Sequence, residues 1–264
     1  MPERFDQKWI RVAIYYAIAV AFSYLSRVYW GMAGLPDPRL GVWGVYLHLL
    51  AGVGPFLGAL VIWFVFRPPG RRLSFGGTFL PMGLAMLAVP AVVFGIIGVA
   101  NRFGIDPHAF GVAIGIWISL YAVLEETGWR GYLQQEFREQ PALMRYAIVG
   151  LFWYPWHLTF VLGHNPIGTE ISNLIFLVLA SVGIGFVADR TKSIFAASAF
   201  HIIGNILLTS AAFKIFIPAM SDRMTIVLIC AVIWLVMLRL WAMRDKRLRT
   251  AARPQAADAV NAPM

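Results

Sequence analysis

The chain has 264 residues, 59% of them hydrophobic and only 13% charged, with a mean hydropathy of +0.70. An ordinary soluble domain carries roughly twice that share of charge, so the composition excludes a soluble globular protein and points to a multi-pass membrane protein. The net charge of +9 does not indicate nucleic-acid binding, because the basic residues gather between the apolar stretches rather than in one patch.

Eight apolar stretches follow one another, at 10–29, 43–66, 79–100, 109–133, 144–163, 171–189, 193–212 and 224–243. Each is long enough to cross the roughly 30 Å hydrocarbon core as a helix of about 20 residues. The expected fold is therefore all-α: a polytopic membrane bundle of about eight transmembrane helices, with 1–264 forming a single integral membrane domain. Lys8 and Arg11 precede the first stretch as they would in a signal peptide. The small-x-small pairs Ala17/Ala19 and Ala19/Ala21 lie inside the run rather than after it, so an uncleaved helix is expected. His48, in the second stretch, reads as a packing residue. The segment "FRPPGRRLSFGG" between the second and third reads as a turn. His108 and His164 fall at span ends and read as interfacial. Pro141, between the fourth and fifth stretches, is placed to open a helix. Cys230, the single cysteine, sits in the last stretch; it excludes an intramolecular disulfide and reads as a small apolar packing residue. The tail 244–264 starts as a basic, membrane-facing patch and is expected to end as a disordered strand of small residues, with no cysteine for prenylation.

With the amino terminus placed in the cytoplasm, only Arg27, Arg39, Arg102, Lys214 and Arg223 fall outside, leaving 17 of the 22 basic residues inside. This positive-inside bias predicts an even number of spans and both termini in the cytoplasm. No repeat of 20 to 50 residues is present, which argues against an inverted-repeat transporter.

Of the 13 acidic residues, only Glu125 and Glu126 lie well inside a span. A carboxylate there costs on the order of 3 kcal/mol, so it normally faces the bundle interior and marks a functional site. Side chains four apart share a helix face, which pairs Glu126 with Arg130. Glu125 lies about 140° round from Arg130, so the spacing leaves it free while Glu126 is neutralised. His157 follows Trp153 by one turn in the fifth stretch, and His201 precedes Asn205 by one turn in the seventh. At 1.5 Å per residue, Glu125, His157, His201 and Asn205 lie at similar depths, roughly 12 to 20 Å from the cytoplasmic ends of their spans.

A carboxylate and an imidazole can bind and deprotonate a water, while a second imidazole and a carboxamide donate hydrogen bonds to an oxyanion. That set suffices for peptide hydrolysis without a covalent nucleophile. The sequence has no G-x-S-x-G or H-E-x-x-H motif. Zinc held by Glu125, His157 and His201 from three helices is the alternative that the residue types leave open.

These residues resemble the motifs of the CAAX-prenyl-protease and bacteriocin-processing (CPBP, or Abi) family of intramembrane glutamic endopeptidases. Its E-E-x-x-x-R motif resembles Glu125, Glu126 and Arg130. Its aromatic residue followed four positions later by histidine resembles Trp153 and His157, and its H-x-x-x-N resembles His201 and Asn205. The similarity covers 109–212. It implies eight helices around a cavity open to the cytoplasmic side, Glu125 and His157 as activators of water, His201 and Asn205 as the oxyanion hole, and no cofactor or metal. Glu126, Arg130 and Trp153 then take supporting roles. The implied partner is a peptide or lipidated protein substrate, with membrane lipids around the bundle and no nucleic acid. The short loops suggest a bacterial inner membrane. A second reading is a non-catalytic immunity or scaffold protein that binds a partner in the same cavity.

Overall fold

The computed structural model describes residues 5–29, 49–68, 73–158, 166–209 and 216–260. Eight helices of eleven or more residues are found among them: α1 (Phe5–Tyr29), α2 (Leu49–Val65), α3 (Leu80–Ile97), α4 (Pro107–Gly128), α5 (Ala142–Leu158), α6 (Ile167–Thr191), α7 (Ile194–Gly204) and α8 (Met220–Val260). Each falls on one of the eight apolar stretches. Residues 43–48, 159–163 and 210–212 of those stretches lie outside the described residues, as do His48 and His164. No strand occurs among the described residues, only an isolated bridge between Ser74 and Ser193.

Five segments are long and apolar enough to cross a membrane unaided: Gln7–Ser26, Leu80–Ile97, Pro107–Glu136, Ile167–Thr191 and Met220–Ala251. Gly52–Val65 and Ile194–Leu207 are apolar but shorter. Large apolar side chains such as Phe64, Ile96, Leu179 and Leu228 are exposed around the bundle, an arrangement that lipid tolerates and water does not. The protein is an integral, multi-pass membrane protein.

The helix ends follow local chemistry. Asp106 caps α4 by accepting hydrogen bonds from the His108 and Ala109 amides, with Pro107 in the first turn where no amide donor is needed. Ser193 caps α7 by accepting from the Ala196 amide. α8 runs on through Val260, so residues 244–260, expected to turn from basic to disordered, extend the last helix instead. Their alanines, arginines and leucine are strong helix formers.

Close helix packing depends on small residues, because lipid supplies no hydrophobic force between helices. A side chain at Gly115 of α4 would lie 2.3 Å from Ala91 Cα of α3, and one at Gly128 would lie 2.5 Å from Pro55 O of α2. Two apolar cores result. One joins α3, α4, α7 and α8 around Phe94, Phe110, Trp117 and Trp234. The other joins α1, α2, α5 and α6 with the end of the α4 segment around Tyr15, Trp129 and Trp156. α7 contributes to both. Its start is clasped by the segment before α3: Ser74 donates to Lys192 O and accepts from the Ile194 amide, at 3.0 and 2.9 Å. Gly77, with φ +63°, completes this corner, where a Cβ would lie 2.2 Å from Thr191 O. The clasp holds the start of α7 seven residues before His201.

Candidate active site

α4 does not end simply at Gly128. A π-helical turn, Trp129–Leu133, follows, and a last α turn closes the segment at Glu136. The Trp129 amide is shared between the carbonyls of Glu125 and Glu126. α7 repeats the device: the π turn Asn205–Thr209 follows Gly204, and the Asn205 amide is shared between the carbonyls of His201 and Ile202. Single π turns inside α-helices are frequent at functional sites because the extra residue re-aims the side chains beyond it. Here each begins four residues after a buried polar residue, Glu125 in one case and His201 in the other.

Glu125 and Glu126 are both buried, as are Arg130, His201 and Asn205. Arg130 Nη1 donates to Glu126 Oε1 at 2.8 Å, the pair expected from their spacing. The guanidinium is fixed further by Nη2 donating to Ser181 Oγ at 3.2 Å, while Ser181 donates to the Tyr146 carbonyl at 2.7 Å. Its Cζ lies 5.0 Å from the centroid of the Trp153 ring, within cation-π range.

Two expectations are corrected. Glu125 is not free: its Oε2 accepts from the indole nitrogens of Trp129 at 3.3 Å and Trp153 at 3.1 Å, and Tyr121 adds a further side-chain hydrogen bond. Glu126 is not confined to Arg130 either, because His201 Nδ1 lies 2.6 Å from the same Oε1. His201 Nε2 faces Glu125 Oε2 at 3.8 Å. One imidazole thus stands between the two carboxylates. The physical reason is that α7 packs directly on α4, and a ring with nitrogens on two edges reaches both acids at once.

Trp153 is the hub of the arrangement. Its indole NH bonds Glu125, its ring centroid lies 4.9 Å from that of His201, and its carbonyl lies 2.9 Å from His157 Nδ1. A carbonyl oxygen only accepts, so Nδ1 of His157 carries the hydrogen and Nε2 of the neutral ring is the acceptor nitrogen. His157, His201, Asn205 and Trp153 line a cavity of about 210 Å³ between α5, α6 and α7. The rest of its wall is apolar, with Phe176, Leu177, Ile184, Phe200 and Ile203 among the lining residues. The four candidate catalytic residues thus converge: three line the cavity, and Glu125 contacts two of the lining side chains. No group of three or more His, Cys, Asp or Glu side chains among the described residues is arranged to hold a metal ion. His108, expected at the interface, is exposed with Nδ1 at 2.9 Å from Gly95 O, away from this cavity.

Sequence reasoning missed Trp129, Tyr121 and Ser181. The first two had a signal, since both lie four residues from Glu125 on its own helix and carry a donor. Ser181 had none: it is one small residue in an apolar span, and only the packing of α6 against α4 and α5 gives it a role.

The family described as type II CAAX prenyl endopeptidase Rce1-like matches residues 107–207. A protein named CAAX prenyl protease 2, from Methanococcus maripaludis, is 28% identical over 145 residues, which cover 47% of this chain and 54% of that protein. The chain thus spans about half the length of the curated relative it matches. No solved structure matches it.

Proposed function

We propose that this chain, which is similar to CAAX-type proteases over residues 107–207, is a CPBP-type intramembrane endopeptidase using water activated by Glu125 and His157. The observation that carries this reading is the convergence around Trp153, which links Glu125 and His157 beside a cavity that His201 and Asn205 also line. In the proposed step a water that donates a hydrogen bond to His157 Nε2 passes its other proton to Glu125 as the water oxygen attacks the scissile carbonyl carbon. The carbonyl oxygen becomes an oxyanion that accepts hydrogen bonds from His201 Nε2 and Asn205 Nδ2. Collapse of the tetrahedral intermediate breaks the C–N bond, and the proton held by Glu125 goes to the leaving amine. His201 can donate at Nε2 while its Nδ1–H binds Glu126 only as the imidazolium, so in this step the two carboxylates flank a cation. Glu126 and Arg130 hold that ring in place.

The substrate class we propose is a membrane-associated peptide or lipidated protein, with the apolar part of the cavity wall against its apolar portion. The proposed setting is a bacterial inner membrane with both termini in the cytoplasm. The test compares protein termini in cells carrying wild type and Glu125→Ala. A set of new termini present only with wild type is expected, and identical termini would leave a non-catalytic binding protein as the better reading. The mechanism is also proposed to need no metal: activity on a substrate so found should survive thorough chelation. Loss of activity restored by one zinc per chain would favour zinc on Glu125, His157 and His201 instead.

A further inference from the structure

A second concavity lies away from this site, where the end of α6 meets α8. It measures about 560 Å³ and is lined by Arg190, Arg239, Lys246, Arg249, Asp245 and Thr250, together with Ala242 and Met243. Arg239, Lys246 and Arg249 fall at intervals of seven and three residues, so they form one stripe about 15 Å long down a face of α8. Arg190, from the last turn of α6, faces them across the groove. None of these four cations makes an ion pair among the described residues. The single acid in the lining is already engaged: Asp245 pairs with Arg244 at 3.1 Å and accepts from Thr78 Oγ1 at 3.0 Å. The wall is stiffened from behind by Trp241, whose indole donates to Thr78 Oγ1, and by Arg244, which stacks 4.2 Å from the Phe79 ring centroid. Three positive charges on a braced helix and a fourth facing them from α6 are thus held around one groove with no ion-pair partner among the described residues.

The occupant is indicated by where the groove sits along α8. Below it the exposed face of the helix is apolar, through Leu228, Val232, Leu235, Val236 and Leu240, and exposed Met243 lines the groove itself. Towards the other end the helix carries Lys246 and Arg249 in the groove wall and Arg247 outside it, all exposed. A ligand seated across this boundary meets guanidinium and ammonium groups at one end and hydrocarbon at the other. We propose that the groove binds the headgroup of an anionic phospholipid, with Arg190, Arg239, Lys246 and Arg249 around the phosphate and the acyl chains lying down the apolar face of α8. Planar guanidinium groups suit bidentate contact with phosphate oxygens, and each basic side chain near an anionic lipid surface contributes roughly a fivefold factor in affinity.

The test uses the purified full chain, delipidated in neutral detergent and titrated with dioctanoyl phosphatidylglycerol, dioctanoyl phosphatidylcholine or inorganic phosphate, with bound lipid counted by native mass spectrometry. Saturable binding of one phosphatidylglycerol is expected, at least tenfold tighter than phosphatidylcholine and not displaced by millimolar phosphate. Arg249→Gln should weaken it roughly fivefold, and Arg190→Gln/Arg249→Gln by at least tenfold. Arg247→Gln removes an equal charge from the same helix outside the groove and should change it less than twofold. Equal affinity for the two lipids, equal loss in Arg247→Gln and Arg249→Gln, or full displacement by phosphate would each overturn a lipid site in this groove.

Discussion

Two polar clusters are stacked along α4, α5 and α6, and they treat their acids in opposite ways. Around Asp189, near the end of the bundle, every partner closes on one carboxylate: Gln134 Nε2 donates to Oδ1 at 3.2 Å, Tyr146 OH donates to Oδ2 at 2.7 Å, and Arg145 pairs with Oδ2. One acid meets one permanent cation and two neutral donors. Eight residues deeper along α6, about 12 Å, Ser181 marks the level of the second cluster, where there are two carboxylates but one arginine, paired with Glu126, and the remaining neighbours are indoles, a phenol and the His201 ring. A latch needs only a satisfied charge, and Asp189 has one. The Glu125 and Glu126 pair holds more acid than permanent base, beside a cavity, and that imbalance leaves a proton position to be exchanged. Charge balance, more than burial, separates the latch from the candidate site.

The sharpest way to break this comparison is Glu125→Gln. It keeps the shape and removes the proton acceptor, so cleavage should fall roughly 10⁴-fold, at the upper end for a lost general base, while the melting temperature in detergent holds or rises. Normal cleavage by this variant would move the catalytic carboxylate to Glu126. Glu126→Gln comes next and should act on both properties. It leaves Arg130 without its counter-charge, a loss of about 3 to 5 kcal/mol when a buried pair is broken, and it removes the carboxylate that orients His201. Low yield, a lowered melting temperature and reduced turnover in whatever remains folded are expected; undiminished turnover would return Glu126 to a purely structural role.

Asn205→Ala should lower turnover by roughly 10² to 10³ with little change in substrate binding, as loss of one oxyanion donor does. A change confined to binding would make Asn205 a recognition residue. The smallest effect is expected in the latch. Asp189→Asn should cost about 1.5 to 3 kcal/mol in stability, the range for hydrogen bonds to a charged group, with turnover per folded molecule unchanged. A large fall in turnover there would show that the two clusters are coupled through Tyr146, whose carbonyl accepts from Ser181 in one and whose hydroxyl serves Asp189 in the other.

What the sequence determined by itself was whatever follows from distance along one helix. Composition and run length set the all-helical membrane class, because the bilayer imposes a minimum apolar length and internal backbone hydrogen bonding. Spacing of four residues put Glu126 beside Arg130 and His157 beside Trp153, since the α-helix returns to the same face at that interval. The cost of a carboxylate in hydrocarbon singled out residues 125 and 126. Only the tertiary structure decided how those faces meet. That His201 stands between both carboxylates, that Trp153 serves Glu125 and His157 together, and that Ser181 braces Arg130 depend on the rotation and depth of α5, α6 and α7 against α4. Those quantities are set by glycine contacts such as Gly128 on Pro55 and by the Ser74 clasp on α7, none of which has a one-dimensional period. The π turns at Trp129 and Asn205 add a residue to a turn and so shift the phase that any 3.6-residue count assumes, at the two places where the site is built.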